Sequence, residues 1–270
     1  MKLITRSPDE LGKSIPLDEG ERYVIVVRPR AVVFRFSGLV FDTNKNFILP
    51  GCIPLLKSLK PIYEQRPDNK LLIVGHTDTS GEPDYNDELS LERARAVEAY
   101  LNQDDGAWLA RYQTSVQEKK RWGELEDRQM IGALPRGETD EEDPVRAFQA
   151  TRSLKVDGII GNQTRTALIK EYMLLGDAKP PATVTITVHG CGENFPLDDS
   201  GLELDPDPAD DAHDPLDRRV ELYFFDGEIK PPPPGPNSKP GSKEYPEWRK
   251  LAKLVFDRAL GPLPVLKVRM

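Results

Sequence analysis

Hydrophobic positions along the chain fall into short runs of two kinds. Tyr23-Val24-Ile25-Val26-Val27, Ala31-Val32-Val33-Phe34-Arg35-Phe36, Leu71-Leu72-Ile73-Val74, Thr183-Val184-Thr185-Ile186-Thr187-Val188 and Val220-Glu221-Leu222-Tyr223-Phe224-Phe225 are rich in β-branched and aromatic residues, which predicts strands. Elsewhere apolar residues recur every three to four positions. Ile53, Leu56, Leu59, Ile62 and Tyr63 predict a helix over 51–64, with Pro54 in its first turn, where a missing N–H costs little. Ser90, Ala94, Val97 and Leu101 predict another over 86–102. Between strand and helix, Thr79-Ser80-Gly81-Glu82-Pro83-Asp84 reads as a loop from its Gly, Pro and Asp content. Strands alternating with helices imply an α/β (α+β) sandwich whose sheet receives its helices mainly on one face.

The alternation is interrupted. Residues 104–180 predict helices over 108–122 and 124–134, and then a compact unit. In that unit Phe148, Ile159, Ile160 and Leu168 form a small core, with Gly158 and Gly161 allowing a tight turn. Residues 1–30 read as a polar lead-in ending in the first strand. Residues 227–243, with Pro231-Pro232-Pro233-Pro234, read as an extended proline-rich linker. Beyond it, Trp248, Leu251, Leu254 and Val255 predict a helix over 245–260, the main part of a C-terminal segment 244–270. Its last residues read as a strand, and the segment is too small to fold alone.

Composition narrows the function. A net charge of −8 argues against a nucleic-acid surface as the main function, and no nucleic-acid partner is expected, since phosphate binding needs basic patches. No apolar run approaches the roughly 18 residues of a membrane span. The first nine residues contain no apolar signal core, which predicts either a cytoplasmic start or a signal-independent export route. Two cysteines and three scattered histidines make no metal set, and no cofactor is expected. Cys52 and Cys191 pair only if the fold brings them together; otherwise they are two buried thiols. The acidic run 198–214 lacks the spacing of a calcium loop and reads as a solvated charged segment.

The candidate chemistry lies where a strand meets a helix. Asp78 falls at the carboxyl end of the 71–75 strand and Arg93 within the following helix. An anion and a cation so arranged suit a zwitterion that carries both an ammonium and a carboxylate, with the planar arginine fork matched to the carboxylate. Buried or half-buried, each charge is costly without a partner, so the alternative is a structural ion pair between the two. Asn44 and Asn86 offer amides to either end of such a ligand, or serve as turn and helix-cap residues. Thr77 and Thr79 flank Asp78. Of Arg218 and Arg219, one lines the pocket and the other packs over the sheet, with Arg218 favoured for the pocket. His76 reads as a packing or turn residue rather than a catalyst.

The segments Phe41-Asp42-Thr43-Asn44-Lys45, Gly75-His76-Thr77-Asp78, Leu89-Ser90-Leu91-Glu92-Arg93-Ala94, Gly190-Cys191-Gly192-Glu193 and Asp217-Arg218-Arg219-Val220-Glu221 resemble, in order, motifs of the OmpA C-terminal family, which includes Pal and MotB. The resemblance covers 31–103 plus 181–226 and implies a βαβαβ-type sandwich with helices on a mixed sheet, split by a mainly helical insertion. It departs from the family in the acidic run, where a short helix usually precedes the paired arginines. The run Val145 to Leu168 resembles the second half of the small three-helix peptidoglycan-binding domain.

The resemblance implies a non-catalytic module that binds peptidoglycan in the cell envelope of Gram-negative-type cells and anchors a protein or assembly to the wall. It also implies that Asp78 and Arg93 hold the ammonium and carboxylate of meso-diaminopimelate in the peptide stem. A second reading, an adaptor or cargo of a type VI-like secretion machine with envelope partners, is compatible with the first. A wall hydrolase is the third, and it lacks any legible zinc set, Cys/His pair or carboxylate pair.

Overall fold

In the computed structural model, the described residues are 2–6, 23–27, 31–38, 40–65, 70–112, 115–116, 119–120, 122–205, 213–225, 253–257 and 261–262. β1 (Lys2–Arg6) lies within the expected lead-in and pairs in parallel with β2 (Tyr23–Val27). The main sheet is built on β3 (Ala31–Phe36), β4 (Lys70–Gly75), β7 (Thr185–Gly190) and β8 (Val220–Phe225), in the order β3-β8-β4-β7. β8 lies antiparallel to both β3 and β4, and β4 runs parallel to β7, so the sheet is mixed.

β4 and β8 are buried on both faces, which is why their sequences read as unbroken apolar runs rather than alternating ones. Their period-two geometry still divides them. Leu71, Ile73, Leu222 and Phe224 join the helix-side core, and Leu72, Val74, Tyr223 and Phe225 join a smaller cluster behind the sheet with Cys191 and Phe195. Cys52 belongs to the helix-side core. The two cysteines are therefore separated by the sheet, and both remain thiols.

The helix expected over 51–64 is a 3-10 turn at Pro50–Cys52 followed by α1 (Ile53–Lys57) and α2 (Lys60–Gln65), with a break at Ser58 and Leu59. α3 (Pro83–Asn102) starts earlier than its apolar stripe predicts. Pro83 belongs to its first turn, where its fixed φ and missing N–H suit a helix start, so loop-like composition misplaced the boundary. α3 packs on β4 and β7. Close contact is possible because Gly75 and Gly190 face it. A Cβ on Gly75 would lie 2.0 Å from the Ser90 carbonyl oxygen, and one on Gly190 2.7 Å from the Leu91 nitrogen.

The insertion departs from expectation in its first part. The helix expected over 108–122 is instead the short α4 (Asp105–Leu109), capped by Asp104, and a hairpin of β5 (Ser115–Val116) and β6 (Lys119–Lys120). One continuous helix would hold Trp108 and Trp122 about 21 Å apart. Their rings lie 5.7 Å apart because the chain doubles back to place both against Phe47. α5 (Glu124–Ala133), α6 (Pro144–Thr151) and α7 (Asn162–Leu174) match the expected helices more closely.

Phe148 and Leu168 are buried and Ile160 packs against the core, but Ile159 is 66% exposed. The turn explains this correction. Gln149 accepts from the Asp157 and Gly158 N–H groups and donates to Asp157 Oδ1 and the Ile159 carbonyl, which pins the backbone inward at Ile159. Gly158 takes a φ of +76°, as its role in the turn requires, whereas Gly161 has a φ of −78° and begins α7.

Residues 104–180, expected as an insertion, share a core with the rest. Phe47, Trp108, Trp122, Tyr172, Leu168 and Phe148 all belong to the cluster that holds Leu71 and Phe224. The Tyr172 hydroxyl donates to the Ile48 carbonyl at 2.7 Å, and Trp108 Nε1 donates to the Ala96 carbonyl at 2.9 Å.

At the other edge, β9 (Lys253–Asp257) pairs in parallel with β3, and β10 (Gly261–Pro262) pairs with β9. This corrects the helix expected over 245–260 wherever that segment is described. The open edge of β3 presents unpaired backbone groups that an extended segment satisfies and a helix does not. The proline-rich linker lies outside the described residues.

Candidate functional site

β4 ends at Gly75 and delivers His76 to Thr79 between β8 and the loop 190–193. The His76 N–H donates to the Arg219 carbonyl and the Thr77 N–H to the Gly192 carbonyl, so the segment is held from both sides. Asp78 is 4% exposed. Its Oδ1 accepts from the Ser80 hydroxyl at 2.7 Å and its Oδ2 from Arg218 Nη1 at 2.7 Å, with His213 Nδ1 3.9 Å from the same oxygen.

Arg93 is not in that ion pair. It is 1% exposed and donates to three backbone carbonyls: Nε to Lys45 at 3.1 Å, Nη1 to His76 at 3.1 Å and Nη2 to Asp42 at 3.2 Å. Its guanidinium also lies 5.2 Å from the centre of the Phe41 ring. Arg93 therefore ties the 42–45 turn to the end of β4.

Asn86 is no helix cap, because Glu82 holds that position. Its amide nitrogen donates to the carbonyls of Asp78 and Ser80 and, at 2.6 Å, to Glu193 Oε2. Asn44 adopts a φ of 59°, which asparagine tolerates better than most residues, and its side-chain oxygen accepts from the Tyr85 hydroxyl. Thr77 and Thr79 are both buried. The structure thus gathers Asp78, Ser80, Asn86 and Arg218 around one loop, with Asn44 in the 42–45 turn that Arg93 holds from α3.

Glu193 and His213 were not among the expected site residues. Glu193 had a signal in its sequence motif. His213 had none, because its proximity to Asp78 depends on how the 213–219 turn returns to the sheet. Gly192 brings Glu193 close: it takes a φ of +53°, and a Cβ there would lie 2.3 Å from Asp87 Oδ1.

Arg219 lies on the other side of the strand, fully buried. It donates to Glu221 Oε1 at 2.9 Å and to the Phe195 carbonyl. Arg35 and Tyr223 also donate to Glu221, and His76 Nε2 lies 3.6 Å from it, packed edge-on against Phe195. This network lies behind the sheet and gives His76 a packing role. Next to it, burial pushes the Asp217 carboxyl up to about 6, against the opposing pull of Arg219.

Among the described residues, no three His, Cys, Asp or Glu side chains gather to hold a metal ion. The described part of the acidic run closes on itself, with Asp198 Oδ1 accepting from the N–H groups of Ser200 and Leu202. No described helix is long and apolar enough to cross a membrane.

A mixed sheet with helices on one face, and a charged loop leaving its central strand beside the next helix, make an α+β arrangement consistent with an OmpA-like fold. Residues 40–121, which carry β4, the Asp78 loop and α3, match the OmpA family. That family points to peptidoglycan binding and the cell envelope. The chain is also 35% identical over 65 residues to the photosystem I P700 chlorophyll a apoprotein A2 of Gloeobacter violaceus, a stretch covering 24% of this chain and 8% of that protein. So small a share of that relative's length identifies a common segment and nothing of the whole.

Proposed function

We propose that the chain is a non-catalytic peptidoglycan-binding module that takes the zwitterionic end of meso-diaminopimelate at the Asp78 loop. The observation that carries this reading is the placement of Asp78, within the OmpA-like segment, at the end of a buried strand on a loop clamped by Asn86. Asp78 receives the ammonium. Arg93, its plane oriented by three carbonyls, receives the carboxylate. Asn44, Asn86, Thr77 and Thr79 shape the walls.

The Asp78 side chain is 6% exposed and that of Arg218 17%, while Arg93 is buried. Arg218 is therefore the solvent-side partner of Asp78, and the ligand ammonium replaces its guanidinium on entry. Wall anchoring follows from such binding and places the protein in the envelope.

Pull-down with purified sacculi, with and without free meso-diaminopimelate, tests the reading. Binding that free diaminopimelate competes away, and that an Asp78→Ala, Arg93→Ala variant loses while still folded, is the expected result. Undiminished binding by that variant would sink the site, and release of soluble muropeptides would replace the module with a hydrolase.

A further inference from the structure

Away from the Asp78 loop, α5 and α6 enclose a pocket of about 350 Å³, within the range that holds small ligands. Its floor is apolar, formed by Ile131, Leu134, Val145 and Phe148, the last three of them buried. Its rim is charged. Arg136 is held by the carbonyls of Glu141 and Glu142, and Asp143 Oδ1 accepts the Val145 and Arg146 N–H groups at the start of α6. Arg128, one turn before Ile131 on α5, has no hydrogen-bond or ion-pair partner among the described residues.

A second observation concerns Gly132, which also lines the pocket. A glycine inside a helix costs about 1 kcal/mol relative to alanine. Nothing here requires that cost: Gly132 has no positive φ, and nothing lies within 4 Å of where its Cβ would be. What the missing side chain does is leave the α5 wall of the pocket open.

We propose that this pocket binds an apolar group bearing one carboxylate, with the apolar part against Phe148 and Val145 and the carboxylate on Arg128. Charge supports that choice. The rim carries two guanidiniums against one carboxylate already engaged with helix amides, on a chain whose net charge is −8. A free small acid and the C-terminal residue of a peptide share this chemistry. The site is separate from Asp78 and does not depend on the reading given there.

The test is an NMR titration of the full chain with N-acetyl-leucine, its amide, and a peptide ending in leucine. Saturable shifts at Ile131, Val145 and Phe148 are expected with both carboxylates, with affinity roughly tenfold weaker for the amide, as loss of a charge-assisted contact implies. Tighter binding of the peptide would assign the source to a chain terminus, and equal binding to a free acid. Gly132→Leu has room for its Cβ and, by occupying the pocket wall, should abolish the shifts with an undiminished melting temperature. Arg128→Gln should weaken the acid to the level of the amide. Equal binding of acid and amide, shifts that persist in Gly132→Leu, or no saturable shift at millimolar ligand would each overturn the proposal.

Discussion

Arg218 Nη1 lies 2.7 Å from Asp78 Oδ2, so the carboxylate at the centre of the candidate site is closed by a cation from 140 positions further along the chain. Asp78 draws its opposite charge from the β8 side of the sheet rather than from Arg93 on the adjoining helix. That exchange of partners leaves Arg218 on Asp78 and Arg93 on three backbone carbonyls.

If Arg218 competes with the ligand ammonium, Arg218→Gln removes the competitor. Free diaminopimelate should then bind several-fold more tightly, and Asp78→Asn should bind it far more weakly than wild type. Isothermal titration at low ionic strength measures both. Weaker binding in Arg218→Gln would make Arg218 a direct contact instead of a gate.

Gly75→Ala places a methyl group 2.0 Å from a backbone oxygen of α3, where no flexible side chain can yield. Overpacking of this kind costs about 1–3 kcal/mol or more. The melting temperature should fall by several degrees, and sacculus binding should fall with it, because β4 leads into the Asp78 loop and α3 carries Arg93.

Asp217 gives a pH signature. Its folded-state pKa of about 6 lies above the ordinary 3.8, so its contribution favours the fold fully below the ordinary value and is lost as pH rises through about 6. The loss is on the order of 3 kcal/mol. Asp217→Asn keeps an acceptor for the Leu197 N–H and should flatten the change in urea-unfolding free energy between about pH 4 and 6.

Asp127 and Arg165 form a buried pair between α5 and α7, with Nε to Oδ2 at 3.0 Å and the guanidinium over the Tyr112 ring. Arg165→Ala strands a fully buried carboxylate and should cost about 3–5 kcal/mol, with Asp127→Asn costing less. Denaturant melts of the two variants and the double variant separate the pair's coupling from the cost of the stranded charge.

Phe47 stacks with Tyr172 and lies beside Trp108 and Trp122, so it joins the 40–50 segment to residues 104–180. Phe47→Ala should cost about 3–5 kcal/mol. Far-UV circular dichroism and tryptophan fluorescence should still melt together. Two separated transitions would show that the insertion folds by itself.

The strands at 23–27, 31–36 and 220–225 were legible to the residue because β-branched and aromatic runs report a local preference that tertiary contacts reinforced. Asp78 and Arg93 were legible as residues, but their partners were not. Carbonyls of Asp42, Lys45 and His76 have no sequence signature, since any residue supplies one. The helix expected from Trp108 to Trp122 does not form because the aromatic cluster rewards a chain that turns back.

The sequence by itself determined the periodicities, the helix and strand types they imply, and the motifs around Asp78, Arg93, Gly190 and Arg218, because these depend on spacing and backbone preference within a few residues. Tertiary structure decided which arginine meets Asp78, that the cysteines lie on opposite faces of the sheet, that the insertion shares the central core, and that 253–257 extends β3. Those outcomes depend on desolvation and pairing between segments far apart in the chain. Burial makes an unmatched charge or an unpaired strand edge costly, and only the folded arrangement shows which distant group satisfies it.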